Sequence, residues 1–199
     1  MDPFAQHRAF EIGVPQALIA ASESPGEALY EAIDRKDVGM VRRLLEIGVD
    51  PNATTETPAD ETWSVLHSAC LNEPSEQMEA IVRLLVEHGA KVNARTGAEV
   101  NARTDYDAAP LHFACSSAEP ARVQFLVDRG AEVNARTRQG ETALHFAARR
   151  RSVKVAEILL DSGADANAKD ARGRTPLDIA GFVPLVEFLL SRDATYSEN

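Results

Sequence analysis

A period of 33 residues recurs through the second half of this 199-residue chain. Two sets of residues keep this interval: Gly97, Gly130 and Gly163, and likewise Leu111, Leu144 and Leu177. A sustained period of this length is the signature of a repeat array, in which each unit buries one face against its neighbours. The period therefore predicts stacked units that share one continuous core.

The composition is that of a soluble globular chain, with 44% hydrophobic residues. No apolar run approaches the roughly 20 residues needed to cross a bilayer. The first residues do not have the charged and apolar regions of a secretory signal. The two cysteines, Cys70 and Cys115, suit a reducing compartment better than a disulfide framework. We therefore expect a cytoplasmic protein that does not bind membranes, with the nucleus left open as an alternative.

The net charge of −10 is unevenly distributed along the chain. Residues 1–120 carry 9 basic against 20 acidic side chains, whereas residues 121–199 carry 12 against 11. An acidic total argues against binding to duplex nucleic acid, because neutralising phosphates requires a positive face. We expect another protein as the partner and no nucleic acid.

Each unit combines two helical patterns and a turn. The first pattern is seen in the segments SVLHSAC, APLHFAC, TALHFAA and TPLDIAG, which begin at residues 64, 109, 142 and 175. Thr175 suits the position before a helix and Pro176 its first turn. The second pattern places Val82, Leu85 and Val86 on one buried stripe. Glycine then ends this helix at residues 48, 89, 130 and 163 in a left-handed conformation.

These motifs resemble those of the ankyrin repeat, which combines a T-P-L-H-x-A-A opening, a V-x-L-L-L second helix and a G-A-x-V-N-A exit. The resemblance implies an all-α solenoid of stacked helix-turn-helix units with projecting β-hairpin fingers. We place five repeats at about 27–53, 54–94, 105–135, 138–168 and 171–196, after an N-terminal extension, residues 1–26, that forms a capping helix or a tail. The resemblance further implies a protein that binds other proteins, is not an enzyme and has no cofactor. We expect a monomer.

The first and last units depart from the family pattern. The first lacks T-P-L-H, and the last has Asp178 in place of histidine and Asp193 in place of the closing glycine. We expect both to be end units with a more polar outer face. Ala109 replaces the threonine that would cap its helix, a loss of about 1 kcal/mol.

An octad is used one time more than the period requires. The sequence GAEVNART occurs at 97–104 and again at 130–137, and a near-copy fills 89–96. By spacing, the copy at 89–96 ends the second repeat and the copy at 97–104 introduces the third. We expect the insertion, assigned to 97–104, to lengthen the finger between them. The preceding finger is also long, and four further residues are inserted between two helices, at 72–79. Insertions in repeat arrays concentrate on one face, which is often the binding face.

Two His-x-x-Cys pairs, His67 with Cys70 and His112 with Cys115, offer a zinc site or a structural role. Both cysteines stand where the repeat has small buried alanines, and equivalent atoms of adjacent helices lie about 8–10 Å apart. In ankyrin-like repeats this histidine binds neighbouring loops and holds the fingers together. We therefore expect no metal, and no catalytic residue because no nucleophile or acid recurs beside the histidines.

The resemblance also implies contact positions, just before T-P-L-H and just after the A-A. They correspond here to Asp60, Glu61, Trp63, Asp105, Tyr106, Arg138, Gln139, Glu141, Arg149, Arg150, Arg172 and Arg174. Trp, Tyr and Arg are enriched at binding hot spots. The basic run ARRRS at 148–152 is interpreted as a helix end or a contact for an acidic partner, with a nucleic-acid patch as the alternative.

The resulting hypothesis is a scaffold or adaptor that binds a partner protein in a concave groove. We expect this groove to be negative at its early end and positive at its late end. Two alternatives are an inhibitory or regulatory subunit that blocks one enzyme, and a self-associating structural array.

Overall fold

The computed structural model describes residues 24–56, 61–98 and 107–197. Of the expected N-terminal extension only residues 24–26 are among these, and Pro25 already begins the first helix. Expectations for the rest of that extension, and for residues 99–104 of the inserted octad, lie outside the described residues.

Five successive pairs of helices run through the described residues. They are α1 Pro25–Asp34 and α2 Val38–Glu46, α3 Val65–Leu71 and α4 Glu76–Glu87, α5 Pro110–Ser117 and α6 Pro120–Asp128, α7 Ala143–Arg149 and α8 Val153–Asp161, and α9 Pro176–Ile179 and α10 Val183–Leu190. The first helices of the pairs pack on one another in the order α1, α3, α5, α7, α9. The second helices pack alongside, α2 on α4, α6 on α8 and α8 on α10. The prediction of a helical repeat solenoid is confirmed.

Side-chain caps begin most of the second helices. Asp37, Ser75 and Ser152 each accept the backbone N–H three residues further on, which satisfies one of the donors left free at a helix start. The four predicted glycines end these helices with φ between +84° and +98°. At Gly130, for example, the N–H groups of Gly130 and Ala131 donate to carbonyls of α6, at 2.9 and 3.0 Å. These short-range signals set the helix lengths.

The core is a continuous layer of apolar side chains between successive pairs. One position, seven residues before the closing glycine, shows this most clearly: Val41, Val82, Val123 and Ala156 are all 0% exposed. Each lies between its own pair and a neighbouring pair, so the stack buries apolar area that a single pair would leave in water.

The last pair leaves an apolar face exposed, so the expectation of a polar outer face there is wrong. Val186, which continues the buried column of the earlier pairs, is only half-buried. Val183 is 67% exposed and Leu190 is 49% exposed. The equivalent of Leu190 in the preceding pair, Leu160, is half-buried. The last pair keeps the side chains of an internal unit, with no further described pair packed on them.

A three-stranded antiparallel sheet projects from the early part of the array. Strands β1 Thr54–Glu56 and β2 Glu61–Ser64 pair with Thr55 opposite Trp63, and β3 Gly97–Ala98 pairs with the start of β2. The two long fingers therefore join into one sheet. The predicted lengthening of both fingers takes this form.

Hydrogen bonds join the near-copy at 89–96 directly to the start of the third unit. Thr96 and Ala108 exchange two hydrogen bonds, the Thr96 N–H to the Ala108 carbonyl at 2.9 Å and the Ala108 N–H to Thr96 Oγ1 at 2.8 Å. Thr137 and Glu141 make the same two bonds in the next finger, at 2.9 and 3.2 Å. The near-copy at 89–96 therefore both ends α4 and leads to the next unit. The near-copy thus already supplies the bonds that introduce the third repeat, a role expected of the copy at 97–104. The insertion falls in sequence between Thr96 and Ala108, where the longer finger was expected, and residues 99–104 lie outside the described residues.

Candidate protein-binding groove

Asparagine side chains hold the loops of successive units at a fixed spacing. Each donates to a carbonyl of the next unit and accepts a backbone N–H from it. The four bridges join Asn52 to Gly89 and Lys91, Asn93 to Gly130 and Glu132, Asn134 to Gly163 and Asp165, and Asn167 to Asp193 and Thr195. The accepted bonds are all 2.7–2.8 Å long. Sequence reasoning missed this role. The available signal was an asparagine that recurs before alanine after each second helix.

Three buried histidines fix the starts of α3, α5 and α7 to the adjoining fingers. Nδ1 of His67, His112 and His145 accepts the backbone N–H three residues earlier, at 3.0–3.2 Å. This leaves Nε2 as the donor, and it lies 3.1 Å from carbonyls of Ala94 and Ala108, of Ala135, and of Arg174 respectively. Both nitrogens of each ring are therefore committed to backbone groups.

Burial keeps these rings neutral. Loss of solvation lowers the pKa of His67 to about 4, and burial likewise lowers the pKa of His112 and His145. Burial raises the pKa of the Cys70 thiol to about 12 and also raises the pKa of Cys115. A zinc site would need deprotonated thiolates and free ring nitrogens. Within the described residues, no three His, Cys, Asp or Glu side chains are grouped to hold a metal ion.

An aromatic row runs along the first-helix side of the fingers, formed by Trp63, Phe113 and Phe146. The Trp63 ring packs on Phe113 with centroids 4.6 Å apart. The edge of His67 meets Phe113 at 5.6 Å, and His112 meets Phe146 at 5.4 Å. Both phenylalanines are 9% exposed. Both phenylalanines are thus buried, and Trp63 at the start of the row is half-buried.

The phenylalanines of this row were missed by sequence reasoning. Both directly follow the histidine of the L-H-F segments, and a first helix turns that position away from the buried leucine two residues earlier. The corresponding residues in the neighbouring units are Ser68 and Ile179, both half-buried. An aromatic residue at one repeat position in two consecutive units was the signal available.

The expected contact residues fall into three groups. Asp60, Asp105 and Tyr106 lie outside the described residues, and Glu61 lies in β2. Trp63 is half-buried in the aromatic row. The third group follows the later fingers and first helices: Arg138, Gln139, Arg149, Arg150 and Arg172 are exposed, Arg174 is half-buried and Glu141 is buried.

Internal ion pairs occupy several of these charges. Arg149 donates to Glu141, and its guanidinium lies 5.2 Å above the Phe146 ring. Arg174 donates twice to Asp170 Oδ2, at 2.7 and 2.9 Å. Burial of Asp170 favours its neutral form, but hydrogen bonds from Arg174 and Arg172 outweigh this and lower its pKa. Because Glu141 is buried and paired, a partner cannot reach it, which corrects its inclusion among the contact residues.

The negative charge of Asp107, in the early part of the array, is also neutralised internally. Arg95 Nε lies 3.0 Å from Asp107 Oδ1, and this hydrogen bond lowers the pKa of Asp107. A second nitrogen of Arg95 donates to the carbonyl of Arg136, and Arg136 in turn donates to that of Lys169. These arginines therefore link the bases of three successive fingers.

Comparison with protein families agrees with this geometry. A family model of ankyrin repeats, containing three copies of the repeat, matches residues 29–137 and again residues 111–199. The chain belongs to the ankyrin repeat family. No individual curated protein matches the chain. Ankyrin repeats are generally protein–protein interaction modules and are typically not enzymes. Within the described residues, no helix is long and apolar enough to cross a membrane.

An ion pair between a buried arginine and a half-buried glutamate joins two ankyrin units of this chain, and sequence reasoning missed it. Arg122 in α6 is 0% exposed and lies 2.6 Å from Glu79 of α4. It also donates to the carbonyls of Cys70 and Asn72, at 2.9 and 3.0 Å. These groups belong to the segment around the four-residue insertion at 72–79. Arg122 therefore fixes the insertion against the next repeat.

Proposed function

We propose that this ankyrin array is a non-enzymatic scaffold or adaptor that binds another protein along its fingers and first helices. The observation that carries the proposal is the aromatic row, with Arg149 lying across Phe146 at its end. Aromatic and arginine side chains dominate binding hot spots, because they combine large contact area with few rotatable bonds. Here packing contacts already hold Trp63 on Phe113 and Arg149 over Phe146, which reduces the ordering cost of binding.

The charge of this surface favours an acidic partner segment at its later end. Arg150 and Arg172 are exposed, and Arg138 is exposed on the finger between the third and fourth units. Charged groups at the rim of an interface chiefly increase the association rate and set the orientation of the partner. For the opposite end of the groove, the proposal of negative charge rests on the sequence positions of Asp60, Glu61 and Asp105 alone.

Taken alone, the later arginines do not favour the adaptor over the inhibitory subunit or the self-associating array. The proposal of an adaptor depends on these arginines together with the aromatic row. An inhibitory subunit would use the same groove on one enzyme, whereas a self-associating array would bind a second copy of itself. We propose a monomer that meets its partner protein in the cytoplasm, without nucleic acid or membrane. Sedimentation equilibrium of the purified chain tests this directly, because a mass that rises with concentration would favour the self-associating array.

A capture experiment with matched variants tests the groove. Wild-type protein, a groove variant with Arg150→Glu and Arg172→Glu, and a control with Arg42→Glu and Arg43→Glu are immobilised and exposed to lysate of the native cell. Arg42 and Arg43 are exposed on α2, a second helix, and their reversal changes the net charge equally. We expect a protein held by the wild type and the control but lost from the groove variant. Equal retention by all three would refute binding at the later end of the groove.

Trp63→Ala tests the aromatic row separately. Removing the indole deletes a contact with Phe113 and a surface for the partner. We expect faster dissociation of the captured protein with little change in its association rate, as loss of an anchor acts mainly on dissociation. Circular dichroism of the variant must first show the helical content of the wild type. Unchanged dissociation would exclude Trp63 from the interface.

A further inference from the structure

The basic run at 148–152 ends in a serine, and its arginines are only partly used by the groove. Arg149, Arg150 and Arg151 directly precede Ser152 and are all exposed. We propose that Ser152 is phosphorylated by a protein kinase that selects arginines two and three residues before its target. Such a kinase recognises guanidinium groups with its own carboxylates, through charge-assisted hydrogen bonds. Ser152 lies in the turn between α7 and α8 and is half-buried.

Two other hydroxyl groups in the described part of the array each lack either an accessible position or preceding arginines. Thr175 follows Arg172 and Arg174, but it is 1% exposed and its hydroxyl donates to the carbonyl of Thr195. Ser75 is half-buried and caps α4 as Ser152 caps α8, yet residues 72–74 before it are Asn, Glu and Pro. Ser152 combines an accessible turn with a preceding run of positive charge.

Two features of the turn lower the cost of opening it locally toward the extended conformation that a kinase binds. Arg151 has a φ of +60°, a left-handed conformation that is unfavourable for a side chain with a Cβ atom. The Ser152 hydroxyl accepts the Val155 N–H at 3.3 Å, near the long end of the hydrogen-bond range. Opening this turn releases the backbone strain at Arg151 and gives up the capping bond, together with the Arg151 and Ser152 N–H bonds to the carbonyls of Ala148 and Ala147, at 3.1 and 3.2 Å.

The transfer needs ATP and the kinase as its only co-reactants. Ser152 Oγ attacks the γ-phosphorus of ATP and forms the new O–P bond, while the bond from that phosphorus to the β-phosphate oxygen breaks. ADP leaves with the electron pair of the broken bond, and a base of the kinase takes the hydroxyl proton. The product carries a phosphate with a charge of about −2 at the start of α8. A helix start favours negative charge, so the folded array accommodates the product.

The modification has a consequence for binding that rests on the proposed function. A phosphate at Ser152 lies next in sequence to the three arginines, and its charge offsets about two of their positive charges. We expect it to slow association with an acidic partner at the later end of the groove.

The test uses the full folded chain, ATP and a purified kinase of this specificity. Intact-mass spectrometry should show one phosphate per chain, and peptide mapping should place it on Ser152. Ser152→Ala should abolish incorporation, whereas Ser75→Ala should leave it unchanged. Arg150→Gln should slow incorporation by about tenfold, the loss expected for one charge-assisted contact. The variant with Arg42→Gln and Arg43→Gln should react like the wild type.

Three results would overturn the proposal: no incorporation, incorporation at another residue, or incorporation only after the chain is unfolded. The binding consequence is measured separately, with phosphorylated and unmodified chain against the captured partner. Slower association of the phosphorylated form supports it, and equal association overturns it without affecting the assignment of the site. Failure of the proposed function itself would be seen in the Arg150→Glu and Arg172→Glu variant, which contains no phosphate.

Discussion

Acidification should destabilise the array through its buried histidines. The pKa of His67 is lowered by burial to about 4 in the folded protein, against 6.5 in the unfolded chain. Between these values the unfolded chain binds the additional proton, so the free energy of unfolding falls as the pH is lowered. The shift corresponds to about 3 kcal/mol lost between pH 7 and pH 4. His112 and His145, whose pKa values are also lowered, add to the loss.

Urea unfolding followed by circular dichroism at a series of pH values measures this loss. Above about pH 5.5 the carboxyl groups with lowered pKa values, Asp107, Asp170 and Asp178, are ionised in both states. The slope there should reflect the histidines, at up to about 1.4 kcal/mol per pH unit for each ring. Because the unfolded rings are almost fully deprotonated by about pH 7.5, measurements at pH 7.5 and pH 8 should agree.

A matched pair of variants assigns the effect. His67→Gln should be less stable than the wild type at pH 7, since Nδ1 and Nε2 both bind backbone groups. Its stability should then fall less steeply with acid, because one titrating ring is gone. His88→Gln alters an exposed ring at the end of α4 and should retain the wild-type slope. If His67→Gln and the wild type lose stability in parallel, the buried neutral histidine is not the cause.

Three further predictions concern stability. Arg122→Ala should lower the free energy of unfolding by about 3–5 kcal/mol, because it leaves Glu79 and two carbonyls without their donor. Ala118→Gly should raise it by about 0.5–1 kcal/mol, because Ala118 has a φ of +55° that glycine adopts without strain. Deleting 97–104 should change it by less than about 1 kcal/mol while weakening partner binding, since the Thr96 and Ala108 bonds remain. Urea unfolding measures the free energy of unfolding of all three variants. Binding of the deletion variant is measured with the partner that the wild type captures.

Each of these has a contradicting result. Arg129→Ala removes an exposed arginine 3.9 Å from Glu87 and should cost less than about 1 kcal/mol. An equal loss in Arg122→Ala would therefore deny the buried pair its role. A less stable Ala118→Gly would mean that the left-handed turn carries no strain. Collapse of the fold on deletion of 97–104 would place the octad in the core.

The helix pairs and their ends could be predicted from sequence because their causes are local. The second-helix stripe of Val82 and Leu85, the cap at Thr175 and the glycine at 130 each act within one turn of the chain. The period then requires the units to stack. Such signals need no knowledge of distant residues.

The conformation of the two octad copies could not be predicted, because identical residues adopt different structures in them. At 130–131, Gly and Ala end α6, whose buried stripe precedes them. At 97–98, the same two residues form β3 beside β2. The surroundings of each copy set the difference. Thr96, which directly precedes the copy at 97–104, is already hydrogen-bonded to Ala108.

The fate of the charges was also beyond the sequence. Arg122 occupies a helix position from which its side chain reaches carbonyls about 50 residues away, and nothing local distinguishes it from an exposed arginine. Arg149 and Arg174 were both expected to be free contacts, yet Glu141 and Asp170 pair with them. Which long side chain meets which acid depends on the packing of the fingers.

The chain has a single tryptophan, and it lies in the aromatic row. This allows the central claim, that a partner protein binds along the first helices and fingers, to be tested at one residue. Fluorotryptophan is incorporated at Trp63, and its fluorine resonance is followed while the captured partner is titrated to saturation. We expect the Trp63 resonance to shift in proportion to the complex formed. We also expect it to become less sensitive to broadening by a dissolved paramagnetic agent. A partner that binds to saturation and leaves the Trp63 resonance unchanged would contradict the account.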